Sequence, residues 1–111
     1  MQIGIYSALP EKEKQVLFEL VQECNKVDGG YRLPYLDNNY NADPEMPAFF
    51  LAERDGQTIG FLSVYADEPG QAEVSLYVLP MYRRQGVANL LLAAFAKVAD
   101  QYDLTEIESV S

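Results

Sequence analysis

Residues 48–53 (AFFLAE) and 58–66 (TIGFLSVYA) are two apolar runs joined by Arg54-Asp55-Gly56-Gln57. Asp-Gly between such runs is among the strongest short-range signals for a β-hairpin, because the favoured tight turn needs positive φ at both central positions. Asp67-Glu68-Pro69-Gly70 marks a second turn, and residues 71–79 read as a third strand. Together they predict an antiparallel meander around which the rest of the chain must pack.

Residues 2–6 (QIGIY) are short, apolar and alternating, which suits a strand. Pro10 followed by Glu11 and Glu13 marks a helix start, with proline in the first turn and carboxylates at the positive end of the dipole. Val16, Leu17, Leu20, Val21, Cys24 and Val27 then recur at helical spacing up to Gly29-Gly30. Residues 31–47 are rich in Tyr, Asn, Asp and Pro and hold at most a short turn near Leu36–Tyr40. After Pro80 a second helix carries Val87, Leu90, Leu91, Ala94, Phe95 and Val98 on one face to about Tyr102, and residues 105–110 alternate like a strand. The order β-α-loop-β-β-β-α-β places the chain in the α+β class with a mixed sheet. At 111 residues it reads as a single domain over 1–111.

Composition removes several chemistries. The chain has no histidine and one cysteine, Cys24. A Ser-His-Asp triad, a histidine base, a histidine metal site and a cysteine cluster for zinc are therefore ruled out, and no metal is expected. Cys24 lies on the helical stripe, as a core thiol or, less simply, a nucleophile. Seventeen acids against eight bases argue against nucleic-acid binding, which depends on neutralising phosphates. That balance draws cationic substrates or merely keeps the chain in solution. No apolar run approaches the roughly 18 residues of a membrane span, and no leader opens the sequence, so no membrane contact and a cytoplasmic location are expected.

The stretch from Val78 to Leu92, VLPMYRRQGVANLLL, breaks a local rule. A helix N-terminus carries partial positive charge and disfavours arginine, yet Arg83 and Arg84 stand directly before the helix. No acidic residue occurs from Val74 to Lys97. Gly86 leaves the first backbone N–H groups of the helix open to approach. Open N–H groups, the positive dipole end and guanidiniums together make an anion site, most naturally for phosphate. The plainer alternative is two surface arginines beside a turn glycine.

The segment Arg83-Arg84-Gln85-Gly86-Val87-Ala88 resembles the [QR]-x-x-G-x-[GA] signature of the GNAT superfamily of N-acetyltransferases. The pattern alone is weak, but here it follows a strand ending in Val-x-Pro and opens an amphipathic helix. The lead-in Ala72-Glu73-Val74 and the Asp-Gly hairpin are similar to the family as well. The resemblance covers essentially the whole chain, most specifically residues 71–99. It implies helices packed on both faces of the sheet and an acetyl-coenzyme A-dependent transferase. In such a fold Arg83, Arg84, Gln85, Gly86, Val87, Ala88 and Asn89 would hold the diphosphate. Leu76, Tyr77 and Val78 would pair with the pantetheine arm, and the strand at 105–110 would splay away to admit it. Ala88 stands where glycine is more frequent in the family, which narrows the site.

Transfer to an amine needs a neutral nucleophile, and a lysine-like amine near pKa 10.4 is mostly protonated at pH 7. Glu73, which matches a base carboxylate in some family members, is the candidate to take the proton; otherwise it is an ordinary strand glutamate. Tyr31 and Tyr35, with Asp37 and Tyr40, either line the acceptor cleft or simply staple a loop. The expected acceptor is an amine on a small molecule or a protein. Full-length relatives continue past this point with elements that often carry the tyrosine general acid. On that comparison the chain reads as C-terminally shortened, no general acid is assignable, and a homodimer through an unfinished sheet edge is an expectation. The alternatives are a non-catalytic module of the same fold that binds coenzyme A or a partner protein, and a general binder of phosphate ligands.

Overall fold

The computed structural model describes residues 1–30, 36 and 41–110. The strands β1 (Gln2–Tyr6), β2 (Phe49–Arg54), β3 (Gln57–Tyr65), β4 (Gln71–Val78) and β5 (Glu106–Val110) form one sheet. Their order in the sheet is β1-β2-β3-β4-β5. The first four are antiparallel to their neighbours, and β5 runs parallel to β4. Helix α1 spans Glu11–Asp28 and helix α2 spans Val87–Gln101. The meander expected from the sequence is therefore present, with β1 added at one edge and the helix-connected β5 at the other.

The hairpin turns on Asp55 and Gly56, with φ 53° and 80°. That pair of positive φ values is what the Asp-Gly dipeptide accommodates. Pairing shifts register after Ala52↔Gly60 to Glu53↔Thr58, leaving Ile59 as the extra residue of a β-bulge. A bulge strengthens the local twist and re-aims the strand ends, here the tip that carries Arg54.

Side-chain alternation assigns the two faces of the sheet. Gly60 lies under α2 so closely that a Cβ would sit 2.7 Å from Val87 Cγ1 and 3.2 Å from Leu91 Cδ1. Its cross-strand partners Ala52 and Val78 share that face, as does Phe50, whose ring meets Phe95 edge-on at 6.2 Å. Tyr77, Phe61 and Phe49 take the other face, where α1 buries Leu17, Leu20, Val21 and Cys24. Phe49, Phe61 and Tyr77 stack in sequence at 6.5 and 6.3 Å across three strands.

Three expectations need correction. Val27 is 59% exposed and Leu90 45% exposed, so neither belongs to the core. The buried stripe of α2 is Val87, Leu91, Phe95, Val98 and Ala99, narrower than periodicity alone suggests, and Val87 and Leu91 sit directly over Gly60. Residues 106–110 do not splay from β4: they pair from Gln71↔Glu106 through Ser75↔Val110. Over the described residues these pairings cover Gln71 to Ser75 of β4.

Candidate functional site

Between β4 and α2 the chain makes one 3₁₀ turn at Pro80–Tyr82, an element the sequence does not announce, and then an irregular turn. Arg84 has φ 65° and Gly86 φ 82°, with Gln85 at negative φ between them. A left-handed arginine costs about 1–2 kcal/mol. Such alternation aims successive N–H groups into one concavity, an arrangement that suits anions. Among the described residues, none of the backbone N–H groups of residues 84–89 donates to a protein acceptor. The first donation of the helix comes from Leu90, to the Gly86 carbonyl at 3.1 Å. Six consecutive main-chain donors thus remain uncommitted, and no side chain caps them.

The two arginines that looked equivalent in sequence are not. Arg83 forms a fork with Asp28 at the C-terminus of α1, through Nη1–Oδ1 at 2.8 Å and Nη2–Oδ2 at 2.9 Å. Its Nε donates to the Val78 carbonyl at 3.0 Å. Hydrogen bonding from Arg83 holds the Asp28 carboxyl below the usual carboxylate range, and Asp28 in turn raises the arginine. Arg83 also places positive charge at the negative end of the α1 dipole, which is favourable. Half of the charge anomaly at the helix mouth is therefore answered inside the protein. Arg84, by contrast, is exposed and makes no ion pair or side-chain hydrogen bond among the described residues.

A third cation reaches the loop from the hairpin. Arg54 Nη1 donates to Gln85 Oε1 at 2.8 Å, and its guanidinium lies 5.9 Å from the centre of the Tyr82 ring. Gln85 Nε2 donates to the Met81 carbonyl at 3.3 Å, which orients its amide oxygen toward Arg54. Sequence reasoning missed Arg54 and Asp28. Each lies some thirty to fifty-five residues from its partner, a separation that no local pattern reveals.

At the end of β4, the Val78 carbonyl accepts from Arg83 Nε and from the Cys24 thiol, the latter at 3.4 Å. Both lone pairs of that oxygen are in use, so the Val78 N–H and the main-chain groups of Leu76 face away from β3 toward an extended ligand, while those of Tyr77 bond to Phe61 across the β3–β4 ladder. Cys24 is buried, and burial pushes its thiol pKa up, the reverse of what a nucleophile needs.

Glu73 sits at the other end of β4, half-buried, across from Tyr65 on β3 and Glu108 on β5. It lines an open cleft of about 510 Å³ with Tyr65, Asp67, Gln71, Glu106 and Glu108. The cleft's charged side chains are all carboxylates. Tyr31, Tyr35, Asp37 and Tyr40 fall outside the described residues. Among the described residues no group of three or more metal-binding side chains occurs, and no helix is long and apolar enough to cross a membrane.

The family model for the acetyltransferase (GNAT) family matches residues 14–110. No curated protein matches the chain in sequence. Among solved structures, a GNAT-family acetyltransferase from Streptococcus pneumoniae TIGR4 superposes with a TM-score of 0.71 at 17% identity, over 99% of this chain and 74% of that one. Diaminobutyrate acetyltransferase from Paenibacillus lautus, solved with L-2,4-diaminobutyric acid and coenzyme A, gives 0.72 at 18% identity over 99% and 66%. The PaiA N-acetyltransferase from Thermoplasma acidophilum, in complex with coenzyme A, gives 0.64 at 22% over 91% and 74%.

Proposed function

The chain belongs to the acetyltransferase (GNAT) family, and from that premise we propose that it transfers an acetyl group from acetyl-coenzyme A to an amine. The observation that carries this reading is the run of backbone N–H groups at 84–89 that, among the described residues, donate to no protein acceptor, in a turn with left-handed Arg84 and Gly86. Donors fixed by the fold need no reorganisation to receive a diphosphate, and the α2 dipole and the Arg84 guanidinium add charge of the right sign.

The bound thioester supplies the acetyl group. The chain's own residues bind and orient it: 84–89 hold the phosphates, and β4 offers the main-chain groups of Leu76 and the N–H of Val78, which face away from β3, to an extended arm. Glu73, lining the acidic cleft on the same strand, takes the proton that an ammonium must lose before it can attack. Asp67, Glu106 and Glu108 around it favour a cationic acceptor. Among the structural neighbours, the diaminobutyrate enzyme was solved with a diamine acid, a precedent of that charge type.

Titration calorimetry tests the binding half: coenzyme A should bind more tightly than ATP, and Gly86→Asp, which puts a carboxylate into the anion mouth, should weaken it at least tenfold. Equal affinity for the two nucleotides would sink the reading. Amine-dependent release of free thiol from acetyl-coenzyme A tests the chemistry. Binding without such release would mark a coenzyme A-binding module instead.

A further inference from the structure

We infer that Arg54, on the tip of the β2–β3 hairpin, is a second phosphate-binding cation of the β4–α2 loop. The inference rests on the coenzyme A reading above. Of the three arginines around the loop, Arg83 has its charge matched by Asp28, while Arg54 and Arg84 form no ion pair among the described residues. In a chain of net charge −9, with carboxylates at Glu53 and Asp55 on either side, an arginine left without a carboxylate partner needs a reason.

The geometry supplies one. Residues 50, 52 and 54 share the face of the sheet on which α2 packs, so the Arg54 side chain emerges on the side of the helix mouth. The bulge at Ile59 twists the hairpin tip, and the Gln85 amide and Tyr82 ring then fix the guanidinium. Gln85 belongs to the concave turn itself. One of five guanidinium N–H groups is used by Gln85, and four remain. A planar donor set held half-buried at the rim of an anion site is suited to bind phosphate oxygens through two N–H groups at once.

Coenzyme A carries phosphate in two places, the diphosphate and the ribose 3′-phosphate. Calorimetry on Arg54→Gln with coenzyme A and with 3′-dephospho-coenzyme A separates them. Loss of a charge-assisted hydrogen bond should weaken binding about tenfold or more. A loss with both ligands assigns Arg54 to the diphosphate; a loss with coenzyme A alone assigns it to the 3′-phosphate. Unchanged affinity for both overturns the inference while leaving the proposed function standing, whereas a parent protein that does not bind coenzyme A removes both. Gln85→Ala is the companion variant. If Arg54 merely braces the turn through Gln85, this variant loses as much affinity as Arg54→Gln, and the inference falls. If Arg54 touches phosphate itself, Gln85→Ala loses less than Arg54→Gln, and Arg54→Lys recovers part of the loss. Circular dichroism melts of each variant confirm folded protein at the titration temperature.

Discussion

Asp28 and Arg83 tie the last turn of α1 to the end of β4, and their fork is the most specific polar contact near the loop. Because Arg83 lowers the Asp28 pKa, the clamp's contribution is complete above the ordinary carboxyl value of 3.8. It is lost only as pH falls through the lower, folded value. Asp28→Asn should therefore melt below the parent protein at pH 7, with the gap constant down to about pH 4 and closing under stronger acid. Thermal melts across that range check it, and a gap that ignores acid would show the carboxylate charge to be irrelevant. This pair also shows where sequence reading stops. The arginines' violation of the dipole rule was legible, but that one is quenched by a residue 55 positions earlier and the other is not is a fact of tertiary structure.

At the level of elements, the hairpin, both helices and all five strands follow from local signals that agree with one another: Asp-Gly at the turn, Pro10 with its acids, the stop at Gly29, and the alternation of β5. The bulge at Ile59 was not readable, since it is a property of two strands in register rather than of one. Nor was the narrow contact of α2. Leu90 has the right spacing for the buried face, yet the helix rests on the sheet through Val87 and Leu91 above Gly60 and leaves Leu90 outside. That contact also supports the site, because Val87 is the first residue of the helix that follows the anion turn. Gly60→Ala would drive a methyl into Val87 Cγ1, where 2.7 Å separates the positions. Overpacking of this kind costs about 1–3 kcal/mol, and urea unfolding should register it, together with weaker coenzyme A binding. An alanine variant as stable as the parent would show that α2 can lift from the sheet without penalty.

Across the whole molecule, β4 connects two regions of opposite charge. Arg84, in a stretch without acids from Val74 to Lys97, and Arg54, reaching over from the hairpin, stand at its C-terminal end, and Asp67, Glu73, Glu106 and Glu108 gather toward its start. For a cationic acceptor the local cleft and the net charge of −9 pull the same way; for an anionic cofactor the local arginines and the net charge oppose each other. Raising salt from about 20 to 200 mM, which shortens the Debye length from roughly 20 Å to 7 Å, should raise KM for the amine more than KM for acetyl-coenzyme A. Steady-state kinetics with each substrate varied in turn decide the matter, and equal salt responses would refute the polarity argument. The sheet has one further property: its strands lie side by side in the order in which the chain runs. No strand must be threaded between two already paired, so each segment, as a ribosome delivers it, meets an unoccupied rim. The acidic cleft, walled by β4 and β5, therefore forms only once β5 has emerged and docked beside β4.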